Sequence, residues 1–384
     1  MNRIYLDHAA ASPLRRDVLE DMMPYLTEVH GNPSSVHAFG REAHRALNGA
    51  REQIAAILNC TPRELIWTSG GTESDNLALF GVTGSLVGNE PPPHIITSQI
   101  EHHAILHACS ELEQHGIQVS YVPVNRYGQV DLQDIERAIR PGTVLISIMY
   151  ANNEVGTIQP IFEIGELARS KGIAFHVDAV QAAGHLSLDL ARLPVDLMSF
   201  SAHKLGGPKG IGLLYCSSRI RLHPRLFGGS QERKRRAGTE NVAFAVGFAS
   251  ALQRAVRHES ENNNHAFQLR QAMLEIWTNE LSSSGFVING HPQDKLLHIL
   301  NVSFPGVSTE TLLMNLDLEG IAAASGSACT SGALEPSHVL KAMNLPAEQL
   351  QSAVRFSFGP DTTLEEVRTA AAKTATIVQR LRTT

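Results

Sequence analysis

Between about residues 60 and 215, short apolar runs alternate with stretches whose apolar residues return every three to four positions. Runs of the first kind occupy 65–68, 94–98, 118–123, 144–150, 173–178, 196–201 and 212–216. Several are almost uninterrupted, as in VLISIM at 144–149, and strands buried on both faces read that way. The stretches at 74–87, 104–115, 132–139 and 161–171 read as helices. Strand–helix alternation of this kind predicts an α/β unit with a mainly parallel central sheet flanked by helices. NEPPP at 89–93 reads as a surface loop within that unit.

Beyond Thr239 the pattern changes. A long helical stretch over 242–281 has a polar break at 262–264, mixed shorter elements follow, and a final helix covers 364–381. This predicts a smaller α+β domain, with the extreme N-terminus packed on it or across the cleft. The division is then a large domain over 15–260 and a small one over 1–14 and 261–384, which suits 384 residues better than one core would.

Composition narrows the function classes. The net charge is -6, from 32 Lys+Arg against 38 Asp+Glu, so neither nucleic acid nor a membrane surface is an expected partner. No apolar stretch approaches the roughly 18–20 residues that span a bilayer, and the N-terminus reads as a strand rather than a leader. Four scattered cysteines without a CxxC pair fit a reduced compartment. A cytoplasmic protein that captures its substrate by local charge is the expectation.

The most informative string is SFSAHKLGGPKG at 199–210. A strand ends at Ser201 and a lysine follows in a glycine-rich turn, where a ligand can approach the carboxyl end of the sheet. Lys204 there suits Schiff-base formation with an aldehyde cofactor, and Ser201 and His203 offer donors to a phosphate. Upstream, AFHVDAVQA at 174–182 puts Asp178 at a strand end. Alone, Asp178 reads as a helix N-cap. With Lys204 downstream it reads as the partner of a protonated ring nitrogen. TSGGTESDN at 68–76 is a glycine turn into a helix start, and Gly71 and Thr72 are its natural phosphate contacts. The absence of GxGxxG and of a P-loop argues against a nucleotide.

These strings stand in order with YLDHAA (5–10), GNPSSVH (31–37), EHHA (101–104), ANNEVGTIQP (151–160), RAGTENV (236–242) and SGSACTSG (325–332). Together they resemble the cysteine desulfurases of the NifS/IscS type, within the class V aminotransferase-like, fold-type I pyridoxal-phosphate enzymes, over nearly the whole chain. The resemblance implies pyridoxal 5'-phosphate on Lys204, Asp178 against the pyridinium and Gln181 against the ring phenolate oxygen. It implies Gly71, Thr72, Ser201 and His203 on the phosphate, and Asn152 near the ring and the substrate carboxylate. Thr239 is similar to a threonine that reaches a phosphate across a homodimer interface. His102 is similar to the histidine that stacks on the ring and moves protons, a task suited to imidazole.

Clustered His102, His103 and His107 otherwise read as a solvated helix start or a zinc site, but no H-E-x-x-H or cysteine pair supports metal. Cys329 lies in a Gly/Ser/Ala/Thr-rich run that cannot bury a thiol well, so it reads as an exposed nucleophile on a loop. The resemblance makes it the sulfur acceptor and a candidate transient cluster ligand. The other three cysteines, in helix or strand patterns, read as structural. Arg355, in an alternating run at 354–359, suits a two-pronged clamp on a substrate carboxylate, as the resemblance also implies. The expected reaction converts L-cysteine to L-alanine with sulfur left on Cys329, for iron–sulfur cluster assembly or another acceptor protein. A selenocysteine lyase or small-amino-acid aminotransferase of the same fold is the enzymatic alternative, and a non-catalytic scaffold is the alternative from another class. The chain departs from the resemblance at 228–239, where Ser230 stands in place of a glycine and charge gathers at Lys234–Arg235.

Overall fold

The computed structural model describes residues 3–84, 86, 88, 90–326 and 336–383. β1 (Ile4–Tyr5) precedes two helices, α1 (Arg16–Thr27) and α2 (Ala38–Leu58). Then follow β2 (Leu65–Thr68), α3 (Gly71–Thr83), β3 (His94–Ser98), α4 (His103–Gln114), β4 (Gln118–Val122), α5 (Leu132–Ala138) and β5 (Thr143–Met149). α6 (Ile161–Ser170), β6 (Ala174–Asp178), β7 (Leu197–Ser201) and β8 (Gly212–Cys216) complete this part. The rest comprises α7 (Val242–Arg257), α8 (Glu259–Leu281), β9 (Val287–Asn289), β10 (Ile299–Ser303), α9 (Thr309–Leu318) and β11 (Ile321–Ala322). α10 (His338–Ala342), α11 (Ala347–Leu350), β12 (Ala353–Ser357) and α12 (Leu364–Arg382) close the chain.

Strands β2 to β8 form one sheet in the order β2-β8-β7-β6-β5-β3-β4. Only β8 runs against its neighbours. β6, β7 and β8 are buried along almost their whole length, which explains their continuous apolar runs. The seven expected strands are all present, with ends shifted by a residue or so. A second sheet, β12-β10-β9, is antiparallel, and β1 pairs with β11. Ile4 and Leu6 join α8, α9, β10, β12 and α12 in one apolar cluster around Trp277, so the N-terminus packs with the downstream elements. Val339 and Leu340 of α10, with Met343 just after it, instead join the cluster beneath the large sheet. Among the described residues no helix is long and apolar enough to cross a membrane.

Three expectations need correction. The helical stretch over 242–281 breaks at His258, not at 262–264, and Asn262 and Asn263 lie inside α8. Their side chains are not a break: Asn263 Nδ2 donates to the His185 carbonyl at 2.9 Å. Helices α1 and α2 have no counterpart among the predicted elements, although Ala43, Leu47, Ala50, Ile54 and Leu58 recur with helical spacing along α2. Cys60 lies in the turn after α2 rather than in a helix or strand.

α2 also anchors the segment that leads to Thr239. Arg51 donates to both carboxylate oxygens of Glu232 at 2.5 and 2.8 Å, and Glu232 accepts from the Trp67 backbone N–H at 3.0 Å. Both side chains of this pair are almost fully buried. The pair holds Glu232, Arg233 and Lys234 in left-handed backbone at φ 44°, 56° and 65°, a conformation that costs non-glycine residues energy and needs such an anchor.

Candidate active site

The carboxyl ends of β5, β6 and β7 terminate side by side, with Asp178 opposite Ser199 in the ladder. From Ser201 the chain makes one tight turn, Ala202–Lys204. It then passes Gly206 at φ +74° and Gly207, where a Cβ would lie 2.9 Å from the Ala202 carbonyl oxygen. The turn therefore holds Lys204 at the sheet edge. Lys204 Nζ donates to the Ala9 and Ala10 carbonyls at 2.5 and 2.8 Å. Ser12 returns two bonds, from its N–H to the His203 carbonyl and from its hydroxyl to the Lys204 carbonyl.

Lys204 lines a cavity of about 370 Å³ together with Gly71, Thr72, His102, Asp178, Gln181, Ser201, His203 and Arg355. Nine residues expected at the site thus meet in one place. Gly71 is the first residue of α3, whose opening N–H groups have no carbonyl within the helix. A Cβ on Gly71 would lie 2.7 Å from Val180 Cγ2, so the space there depends on glycine. Ser201 Oγ and His203 Nδ1 are 2.7 Å apart beside it. Gln181 Nε2 donates to the Ala9 carbonyl at 2.8 Å.

Asp178 is 8% exposed, and Oδ1 accepts from the Val180 N–H at 2.9 Å. The capping contact expected of an isolated Asp is therefore present alongside its position on the cavity wall. Burial pushes its acid up to about 6, against the pull of the Val180 N–H and the Lys204 charge. Asp75, fully buried nearby, is raised by burial and by Asp178, and its Oδ1 has no hydrogen-bond partner. Two crowded, desolvated carboxyls favour a cationic N–H in this cavity. The phosphate-type donors, the two acids and Lys204 share one cavity, a set that fits pyridoxal phosphate.

His102 caps α4, and Nδ1 accepts from the Ala104 N–H at 3.1 Å. A backbone N–H only donates, so the neutral ring carries its proton on Nε2. Burial first, then Lys204 and the imidazoles of His103, His338 and His107, push it down to about 4. His102 is neutral around pH 7.

Arg355 is 2% exposed, and its guanidinium is already engaged. Nη1 donates to the Asn153 carbonyl at 2.8 Å and Nη2 to Asp7 Oδ1 at 2.7 Å, while Nε is buried without a partner. Asp7 sits in the YLDHAA string but had no expected role; its partner lies 348 residues away. Glu154 was also missed. It lines the cavity and accepts from Ser337 Oγ, and a Cβ on Gly326 would collide with it.

Two expected residues stand apart from the cavity. Asn152 is fully buried, donating to the Ile100 carbonyl and accepting from the N–H groups of Glu154 and Val155. It fixes the turn from which Asn153 and Glu154 reach the wall. Thr239 is exposed and does not line the cavity of its own chain. The segment before it is tied to α3 by Arg236, which bonds both oxygens of Glu73 at 2.8 and 3.1 Å. Cys329 lies outside the described residues, but Gly326 on one side of its segment and His338 on the other both line the cavity. Burial pushes the Cys60 and Cys109 thiols up to about 12 and Cys216 to about 11, so these three are poor nucleophiles.

Buried neutral histidines make the fold acid-labile. His94, His102, His185 and His203 are pushed down to about 4 and His176 to about 3, all chiefly by burial. Because these folded values lie below the ordinary 6.5, the unfolded chain takes up protons first. Stability is lost as pH falls from about 6.5 through 4. Glu101, raised to about 8 by burial, and Asp178 work in the opposite direction but are fewer. Urea unfolding is expected to show a lower midpoint near pH 5 than at neutrality; an unchanged midpoint would contradict it.

The aminotransferase class-V family model matches residues 4–369. A Bacillus subtilis protein named putative cysteine desulfurase IscS 1 is 49% identical over 384 residues, covering 99% of this chain and 100% of its own. A Methanosarcina thermophila protein named cysteine desulfurase IscS is 46% identical, covering 99% and 93%. Among solved structures, a NifS-like protein superposes with a TM-score of 0.92 at 37% identity, covering 99% of this chain and 100% of that one. SspA in complex with cysteine gives 0.83 at 35% identity, covering 94% and 100%. With the family model spanning nearly the whole sequence, and relatives of 46–49% identity matching it end to end, the chain belongs to the aminotransferase class-V family.

Proposed function

We propose that the chain is a pyridoxal-phosphate-dependent cysteine desulfurase, converting L-cysteine to L-alanine and leaving the sulfur on Cys329 as a persulfide. The observation that carries this reading is the meeting of Lys204, Asp178, His102 and Arg355 in one cavity whose wall includes both flanks of the Cys329 segment. Relatives over 40% identical across the chain bear the cysteine desulfurase name, and SspA was solved with cysteine bound.

When bound, pyridoxal phosphate supplies an electron-accepting ring that makes the substrate Cα–H acidic. Gly71, Thr72, Ser201 and His203 hold its phosphate, and Thr239 of a second protomer adds a donor in a homodimer. Asp178 keeps the ring nitrogen protonated, Gln181 donates to the ring oxygen, and Asn152 supports the wall beneath. Lys204 anchors the cofactor and carries the α-proton on Nζ. Arg355 orients the substrate carboxylate, exchanging its Asp7 contact for the ligand's, because a guanidinium fork suits two carboxylate oxygens. His102, neutral with its proton on Nε2, donates toward the substrate sulfur and ring. The Cys329 thiolate attacks that sulfur: an S–S bond forms, the C–S bond breaks, and its electron pair passes to Cβ, which is protonated to a methyl group. Sulfur is oxidised to the sulfane level as Cβ is reduced, so L-cysteine and one thiol yield L-alanine and one persulfide.

The large and small domains, divided near residues 15 and 260, close around this cavity in our reading. A scaffold protein for iron–sulfur assembly is the proposed sulfur acceptor, and the cytoplasm the proposed location. A product assay tests the reaction. The holoenzyme with L-cysteine and a reductant is expected to release L-alanine and sulfide in equal amounts. A keto acid without sulfide would replace this reading with transamination.

A further inference from the structure

His338 opens α10 on the cavity wall beside His102 and His103. Its Nε2 lies 3.0 Å from the Glu101 carbonyl oxygen. A carbonyl only accepts, so Nε2 bears the proton and donates. That carbonyl belongs to the peptide joining Glu101 to His102. The Glu101 side chain is fixed as well, accepting from Ser98 Oγ at 2.6 Å and from the Met149 N–H at 2.9 Å. These contacts tie it to the ends of β3 and β5. The donor stands on a rigid support, because Val339, Leu340 and Met343 sink into the core beneath the large sheet.

We propose that His338 is a positioning residue for His102: its Nε2–H clamps the Glu101–His102 peptide and so fixes the direction in which the His102 imidazole enters the cavity. The proposal rests on His102 being the proton-handling residue. The clamp links acid–base geometry to the helix that follows the Cys329 segment. It also adds an imidazole to a basic surround. The His103 ring lies 4.7 Å from His338 and 4.9 Å from His107. Facing His338 are His103 and His107 from α4, Lys341 on its own helix, and the Glu101 carbonyl. With Lys204, the imidazoles oppose protonation of His102.

The test is a double-mutant cycle on the holoenzyme. H338A and H338Q are made alone and with H102Q, cofactor loading is read from visible absorption, and folding from Tm. H338A is expected to lower kcat roughly ten- to a hundredfold, the scale set by a small misplacement, with KM and cofactor loading unchanged. H338Q, whose amide N–H can reach the same carbonyl, restores most of kcat. In the H102Q background H338A costs nothing further, because a clamp acts only through the residue it positions. A merely structural role would not be rescued by H338Q and would cost activity in both backgrounds. An equal loss in both backgrounds would overturn the clamp while leaving His102 in its role. An H102Q enzyme with full kcat would remove the role of His102, and the clamp with it. Should H338A fail to fold, H338F, which fills the ring's space without an N–H donor, takes its place, and full kcat in H338F overturns the proposal.

Discussion

Replacing Lys204 by alanine is expected to abolish alanine formation, with kcat down by at least roughly a thousandfold, and to strip the bound cofactor's visible absorption. The side chain ends at the carboxyl edge of β7, and its amine donates to the backbone oxygens of Ala9 and Ala10. Deleting it removes two hydrogen bonds to charged nitrogen from a half-buried site, at a cost of order 1.5–3 kcal/mol each. The sheet, its antiparallel β8 and the Gly206–Gly207 turn owe nothing to the amine, so far-ultraviolet dichroism should match the parent protein. Absorption and dichroism together separate loss of anchoring from loss of fold. A variant that keeps both the absorption and turnover would contradict the assignment.

Cys329→Ser is expected to have the second largest effect: cofactor and L-cysteine still bind, but single-turnover alanine formation without added thiol falls to background. An alcohol oxygen cannot take the sulfane sulfur as a thiolate does. Nor can the other thiols substitute. With Cys60 and Cys109 pushed up to about 12 and Cys216 to about 11, all by burial, each is thiolate about one time in ten thousand or less near neutrality. Mass spectrometry of the parent enzyme after one turnover should find one extra sulfur on the peptide containing Cys329. Full alanine formation by the serine variant would remove the persulfide step.

Much of the site was legible because its residues sit where regular elements end. Asp178 and Ser201 close apolar runs and Gly71 opens a helix, so local pattern points to each of them; His102 stands out only through the resemblance of EHHA, since its local pattern reads as a helix start. Residues whose role comes from distant contact were not legible. Asp7 finds Arg355 through its own bridge to Ser357 of β12, and nothing near Asp7 in the chain announces that pairing. Glu154 and His338 are likewise defined by partners across the cavity. The resemblance points Asn152 toward the ring, yet its amide oxygen caps its own turn, its Nδ2 donates to the Ile100 carbonyl, and its neighbours reach the wall instead. The polar run at 262–264 misled for the opposite reason. Asparagine weakens an isolated helix, but here Asn263 holds a backbone carbonyl and the helix continues.

The most direct measurement is to reduce the cofactor-loaded protein with borohydride, digest it and map the pyridoxyl mass. The label is expected on the peptide bearing Lys204 and on no other lysine. A label on a different lysine, or no covalent label on a protein that has bound the cofactor, would contradict the account at its root.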